Sequence, residues 1–239
     1  MSIQDSASSL PTAIRQMIGE ALMAVRKDTL HEMGQDRRRK IYEALWSSPL
    51  GEKACKWLAI LSARRVQPIY QESVAASSFA NYEFAAGLLD RILNIAEKIL
   101  TGELSHEDLR RGEENGEIED FYHSILVAAE KEFPYYVWLA TLAADNARLE
   151  ALGYKPLQTR ISGEAAEENG NIVITSSDRW SDVRLAGSGC HADDAAVDAA
   201  FAFAKCITRE QYDTSKVLEF WEWWLAEAIP YAWGKALRT

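Results

Sequence analysis

The chain has little cysteine, no glycine-rich phosphate loop and a shortage of positive charge, and each lack narrows what it can do. Only three cysteines occur among 239 residues, Cys55, Cys190 and Cys206. They are widely separated and form no CxxC pair, so zinc-ribbon and dithiol redox chemistry are set aside and reduced thiols in a cytoplasm are expected. The four histidines, His31, His106, His123 and His191, build no HExxH. Cys190 and His191 beside Asp193 are a single pair without a second cluster, which is weak ground for a metal. No GxSxG, phosphate-cradling loop or dinucleotide fingerprint occurs, removing the common strand-turn-helix catalytic devices. The first residues offer Gln4, Asp5 and several serines in place of a basic segment and an apolar run, so no secretory leader is expected. No apolar run is long enough to cross a bilayer, and no fixed-period repeat argues for a solenoid. The net charge of −10, with a pI near 5.0, disfavours attraction to nucleic-acid phosphate or anionic lipid and favours a basic partner.

What remains is an ordinary globular composition, 48% hydrophobic and 10% aromatic, organised by helical spacing. Pro11 to Lys27 places Ile14, Met17, Ile18, Leu22 and Val25 three and four apart. Gly34 interrupts, and Asp36 to Trp46 resumes with Ile41, Leu45 and Trp46 inward. The run Arg37, Arg38, Arg39 and Lys40 is one turn on an acidic chain, so a solvated or salt-bridged face is favoured over a nucleic-acid patch. Ser48 and Pro49 read as the N-cap and first turn of a helix limited by Pro68. Phe79 to Leu100 gives the cleanest helical pattern, stopped by Gly102. Leu104 to Glu119 is an acid-rich connection. Ile118 to Phe133 is helical, Pro134 opens a further helix to Gly153, and Asp193 to Cys206 is an alanine-rich helix. Tyr154 to Gly189 changes character, and Leu157 to Ser162 with Asn171 to Ser176 fits a small β-hairpin. The prediction is therefore all-α: a single domain over 1–239, an orthogonal or irregular multi-helix bundle. Residues 1–35 form the N-terminal helix and lead-in, 154–189 an insertion, and the hairpin lies near 157–176.

Half of the eight tryptophans fall between Lys216 and Arg238, in FWEWW from Phe220 to Trp224 and at Trp233. At about 100° per residue, Val217, Phe220, Trp221, Trp224, Leu225, Ala228 and Ile229 share one arc, while Glu219, Glu222 and Glu227 lie off it. Asp213 or Ser215 supplies the N-cap. Pro230 lacks an N–H and crowds the carbonyl four residues back, so a kink or restart is expected there. Trp223 falls on the acidic side, between Glu219 and Glu227, as a surface feature.

Asp193, Asp194 and Asp198 are the sharpest enzyme candidate, because carboxylates at i and i+4 face the same way and an aspartate-rich helix can hold magnesium. They loosely resemble the aspartate-rich motif of terpenoid synthases, whose second magnesium motif is not visible here. Acids at a helix start also satisfy backbone N–H groups and the dipole, and that reading is preferred.

At FWEWW and the following Leu225, Glu227, Ala228, Ile229 and Pro230, the chain resembles the fifth of the immunity-protein families of bacterial polymorphic toxin systems. Other stretches agree: Arg38, Arg39 and Lys40 leading to Glu43, Ala44 and Trp46; Trp57, Leu58 and Ala59 continuing to Val66, Pro68 and Ile69; the alanine-rich helix after Tyr136; and Asp193 to Ala204. The resemblance implies a cytoplasmic, mostly helical antitoxin that binds the product of a neighbouring toxin gene, with no catalytic residue, cofactor, metal, nucleic acid or membrane in its work. Toxins that attack nucleic acids are often basic, and an acidic inhibitor gains association rate from steering. The expected toxin-binding residues are Glu113, Glu114, Glu117, Glu119 and Asp120, with Trp223 flanked by Glu219 and Glu227. Glu164, Glu167 and Glu168, and the aromatics Tyr135 and Tyr136, are further candidates. The alternatives are a magnesium-dependent all-α enzyme using Asp193, Asp194 and Asp198, or a helical adaptor.

Overall fold

In the computed structural model the described residues are 9–77, 82–105, 107, 133–153, 191–207 and 211–239. They form α-helices α1 (Thr12–Lys27), α2 (Gln35–Trp46), α3 (Gly51–Ala75), α4 (Tyr82–Thr101), α5 (Tyr135–Leu152), α6 (His191–Phe203), α7 (Thr214–Trp223) and α8 (Ile229–Ala236). A π-helical turn, Trp224–Ala228, joins the last two. Among the described residues there is no strand, and the architecture is all-α. The expected hairpin near 157–176 lies outside the described residues, as does all but the last residue of the helix expected from Ile118 to Phe133.

The centre is α3 packed with α5 and α6. Ala140, Ala143, Ala144 and Ala147 of α5 and Ala192, Ala195, Ala196 and Ala199 of α6 are all fully buried. Short side chains there let the two backbones approach closely, and ridges of neighbouring residues interdigitate. α4 lies along α3 and α5, burying Leu88, Leu89, Ile92 and Leu93. Arg64 of α3 fastens that contact by donating to Asp90, Asn94 and Glu97. The bond from Arg64, helped by bonds from Gln67 and Asn94, holds the Asp90 carboxyl below its ordinary range.

Helix ends follow their local chemistry. Gly102 and Gly153 take φ of +75° and +71°, the left-handed conformation that terminates α4 and α5 at no steric cost. Gly51 serves differently: a Cβ there would stand 1.9 Å from the Leu45 carbonyl oxygen, so only glycine lets α3 begin against the end of α2.

Three expectations for this region are corrected. Pro68 does not limit α3, which runs 25 residues with the proline inside. Proline removes one backbone bond, but Val66, Tyr70 and Val74 on either side of it are buried, and Tyr70 donates from its hydroxyl to the Ala85 carbonyl. That packing outweighs the missing bond. Ser48 is not the N-cap of α3: its hydroxyl donates back to the Leu45 carbonyl, and α3 starts after Leu50. Trp46 is not inward but 52% exposed.

The C-terminal aromatic stretch is interior as expected. Phe220, Trp221 and Trp224 are each at most 2% exposed and meet edge to face, with centroids 5.2 Å apart for Phe220 and Trp221 and 5.7 Å for Trp221 and Trp224. Each such residue removes about 150–250 Å² from water, and truncating one costs about 3–5 kcal/mol. Asp213 is the N-cap, accepting from the Ser215 and Lys216 amides. Ahead of Pro230, the Ile229 N–H reaches the Trp224 carbonyl, five residues back instead of four. The chain thus answers the missing proline donor with a wide turn and then restarts as α8. The indole nitrogens of Trp224 and Trp233, on either side of that turn, are buried without a hydrogen-bond partner among the described residues. Each costs about 1–3 kcal/mol, set against the area the rings bury.

Candidate partner-binding surface

The outer face of α7 carries three of the residues expected to meet a partner, Glu219, Trp223 and, in the π turn, Glu227. The face is built by an arginine from another helix. Arg65 of α3 lies 5.0 Å from the Trp223 ring and 5.0 Å from the Phe203 ring at the end of α6, so its guanidinium is held between two aromatics. Lys216 approaches Phe203 at 5.5 Å. The result is a row of aromatic and cation, Trp223, Arg65, Phe203 and Lys216, drawn from three helices. Each such contact is worth about 0.5–1 kcal/mol at an exposed site.

This row changes the electrostatics expected of α7. Glu219 is not a bare acid: Lys216 reaches it at 2.6 Å and Arg65 at 3.5 Å. Glu222 is tied to Arg26 of α1 at 2.6 Å. Of the acids on this face, Glu227 alone is exposed with no ion pair to another described residue. Trp223 is half-buried, packed on Phe220 at 5.4 Å as well as on Arg65, and presents one part of its ring to solvent. Such a residue is held in place before any partner arrives, which lowers the ordering cost of binding. No local sequence signal marks Arg65, Phe203 and Lys216, because their meeting depends on how α3, α6 and α7 cross.

Glu113, Glu114, Glu117, Glu119 and Asp120 lie outside the described residues, as do Glu164, Glu167 and Glu168. Tyr135 and Tyr136 are half-buried. Tyr135 stacks on Trp138 at 5.5 Å, and Ser73 donates to the Tyr136 hydroxyl at 3.4 Å.

The aspartates at the start of α6 are occupied. Asp193, 1% exposed, accepts from Arg38 Nε at 2.6 Å and Nη2 at 3.3 Å, while Arg38 also donates to the Met33 carbonyl. Arg38 is therefore turned inward and not part of a solvated basic face. Asp198 accepts from the Asn146 side-chain nitrogen at 3.0 Å, and His191 Nδ1 sits 3.1 Å from the oxygen of that same amide. Burial holds the His191 imidazole below its ordinary value, against the pull of Asp145. Tyr42 donates to the Ala192 carbonyl at 2.7 Å. Glu150 of α5 accepts from the Ala192 N–H, and burial raises its carboxyl above the usual range despite that bond and Lys56 nearby. The arrangement anchors the first turn of α6 to α2 and α5. No group of three or more His, Cys, Asp or Glu side chains among the described residues is placed to hold a metal ion.

No family model and no curated protein matches the chain. The resemblance therefore stands on the quoted residues, and the structure shows where they sit. Arg38 from one stretch pairs with Asp193 from another and lies 5.9 Å from the ring of Trp221 in a third. Tyr42, between Arg38 and Trp46, packs on Trp224 at 5.7 Å. No helix among the described residues is long and apolar enough to cross a membrane.

Proposed function

We propose that this chain is an immunity protein that neutralises a cognate bacterial toxin by binding it in the cytoplasm, without catalysis or cofactor. The observation that carries the reading is the convergence just described: stretches quoted for the family resemblance from α2, α6 and α7 meet in one packed centre around Trp221 and Trp224. A likeness spread over segments far apart in sequence is more informative when those segments form a single structural unit. Two features of the chain fit the work. The outer face of α7 offers a pre-ordered aromatic, Trp223, beside the exposed carboxylate of Glu227, and aromatic anchors dominate binding energy at interfaces. Acidic residues cluster in the sequence from Glu113 to Asp120 and from Glu164 to Glu168, which suits a basic toxin attracted at long range.

The test is co-expression with the adjacent open reading frame. Growth rescue together with co-purification is expected. A neighbour that is harmless alone, or a toxic one that this chain neither rescues nor retains, overturns the proposal.

A further inference from the structure

Trp223 is one corner of a closed circuit of four side chains. It packs on Phe220 with centroids 5.4 Å apart, Phe220 packs on Phe203 at 6.1 Å, and the Arg65 guanidinium lies 5.0 Å from both the Phe203 and the Trp223 rings. Phe220 is fully buried and forms the floor, so Arg65 is the member that closes the circuit toward solvent. Trp223 and Phe220 lie on α7 and Phe203 ends α6, whereas Arg65 comes from α3. The indole is therefore braced from below by its own helix and from the side by a separate one.

Packing alone does not call for arginine at this position. Its Nε is enclosed and has no hydrogen-bond partner among the described residues, a cost that a methionine of similar length would not carry. Its ion pair with Glu219, at 3.5 Å, joins side chains that are 34% and 46% exposed, where such pairs contribute little, and Glu219 already has Lys216 at 2.6 Å. What the guanidinium adds is a flat, rigid cation lying over an aromatic ring, which neither methionine nor lysine supplies. Such a contact constrains the plane of the ring it covers.

We infer that Arg65 is a positioning residue for partner binding: it sets affinity through Trp223, by holding the indole in the orientation that the partner meets, and not through contacts of its own. The inference rests on the proposal that this face binds a toxin. Immobilising a mobile side chain during association lowers affinity by about two- to tenfold, and an indole fixed beforehand avoids that loss.

The experiment has two arms. The first uses the ¹⁵N-labelled full chain alone and measures relaxation of the Trp223 indole N–H, identified by its loss in Trp223→Phe, in the parent, Arg65→Met and Arg65→Lys. Both Arg65 variants should show greater indole motion on the picosecond to nanosecond scale, with the melting temperature changed by less than about 4 °C. The second uses the product of the adjacent open reading frame as the probe. Both variants should dissociate from it about two- to tenfold faster with association unchanged, and Arg65→Met should add nothing to the loss caused by Trp223→Ala. Three results overturn the inference: an indole as ordered in Arg65→Met as in the parent, an Arg65→Lys variant that matches the parent in both arms, or a loss in Arg65→Met that adds in full to that of Trp223→Ala. A neighbouring product that is not a toxin removes the proposed function, and the first arm still decides whether Arg65 positions the indole.

Discussion

Arg38 and Asp193 stand 155 residues apart and meet as an ion pair whose side chains are 12% and 1% exposed. A pair this enclosed is held by the absence of water as much as by its charges, so removing one partner strands the other. Asp193→Ala is expected to cost about 3–5 kcal/mol in urea unfolding. The double variant Arg38→Met with Asp193→Leu should lose clearly less than Asp193→Ala. Equal losses would mean that the pair is not the source of the effect.

Two glycines should respond in opposite directions. Gly51→Ala drives a Cβ into the Leu45 carbonyl and should cost about 1–3 kcal/mol or more. Gly19, inside α1, has nothing within 4 Å of an added Cβ, so Gly19→Ala should gain about 0.5–1 kcal/mol. Denaturant melts of the two variants check both signs.

Glu150 gives the fold a pH dependence of defined sign. Burial raises its carboxyl above the ordinary value of 4.5, so the folded chain holds that proton more tightly than the unfolded chain does. Its contribution is fully present below the unfolded pKa and is lost as pH rises through the folded one. Glu150→Gln keeps an oxygen for the Ala192 amide and removes the charge. The stability of this variant relative to the parent should rise from about pH 4.5 upward and then level off. A constant difference across that range would show that Glu150 titrates normally.

If the proposed toxin is the partner, charge reversal at Glu113, Glu114, Glu117, Glu119 and Asp120 should slow association with it by about tenfold or more at low ionic strength, and far less at high salt. Trp223→Ala should act mainly on dissociation, because contact residues set lifetime more than encounter. Stopped-flow measurements across a salt series separate the two. An association rate unchanged by reversal at any salt would remove the steering role.

Helix identity was legible wherever apolar spacing and a stop signal agreed, as in α1, α4, α5 and the aromatic face of α7. The misplaced features have one cause, which is that local rules were settled by distant contacts. Pro68 reads as a terminator, but buried Val66 and Tyr70 carry α3 past it. Trp46 reads as core because it is large, yet it lies about a quarter turn away from the face defined by Ile41, Tyr42 and Leu45. At the candidate site, Trp223 and Glu219 were visible as an acidic aromatic stripe. The neutralising Arg65 was not, since it arrives from more than 150 positions upstream and its sequence neighbours give no hint of a destination.

The wide turn from Trp224 to Ala228 sets the phase of everything after it. A helix advances about 100° with each residue, and a turn closed five residues back holds about one residue more than an α-turn, so the extra position is absorbed and the terminal rod keeps Trp233 inward. A further residue inserted here, with no second wide turn to take it up, would swing the rod by about that angle and carry Trp233 out of the interior, whereas deleting one would close the turn to the ordinary helical form and leave the phase nearly unchanged. Insertions should therefore be tolerated in the connecting loops before they are tolerated in this short interval.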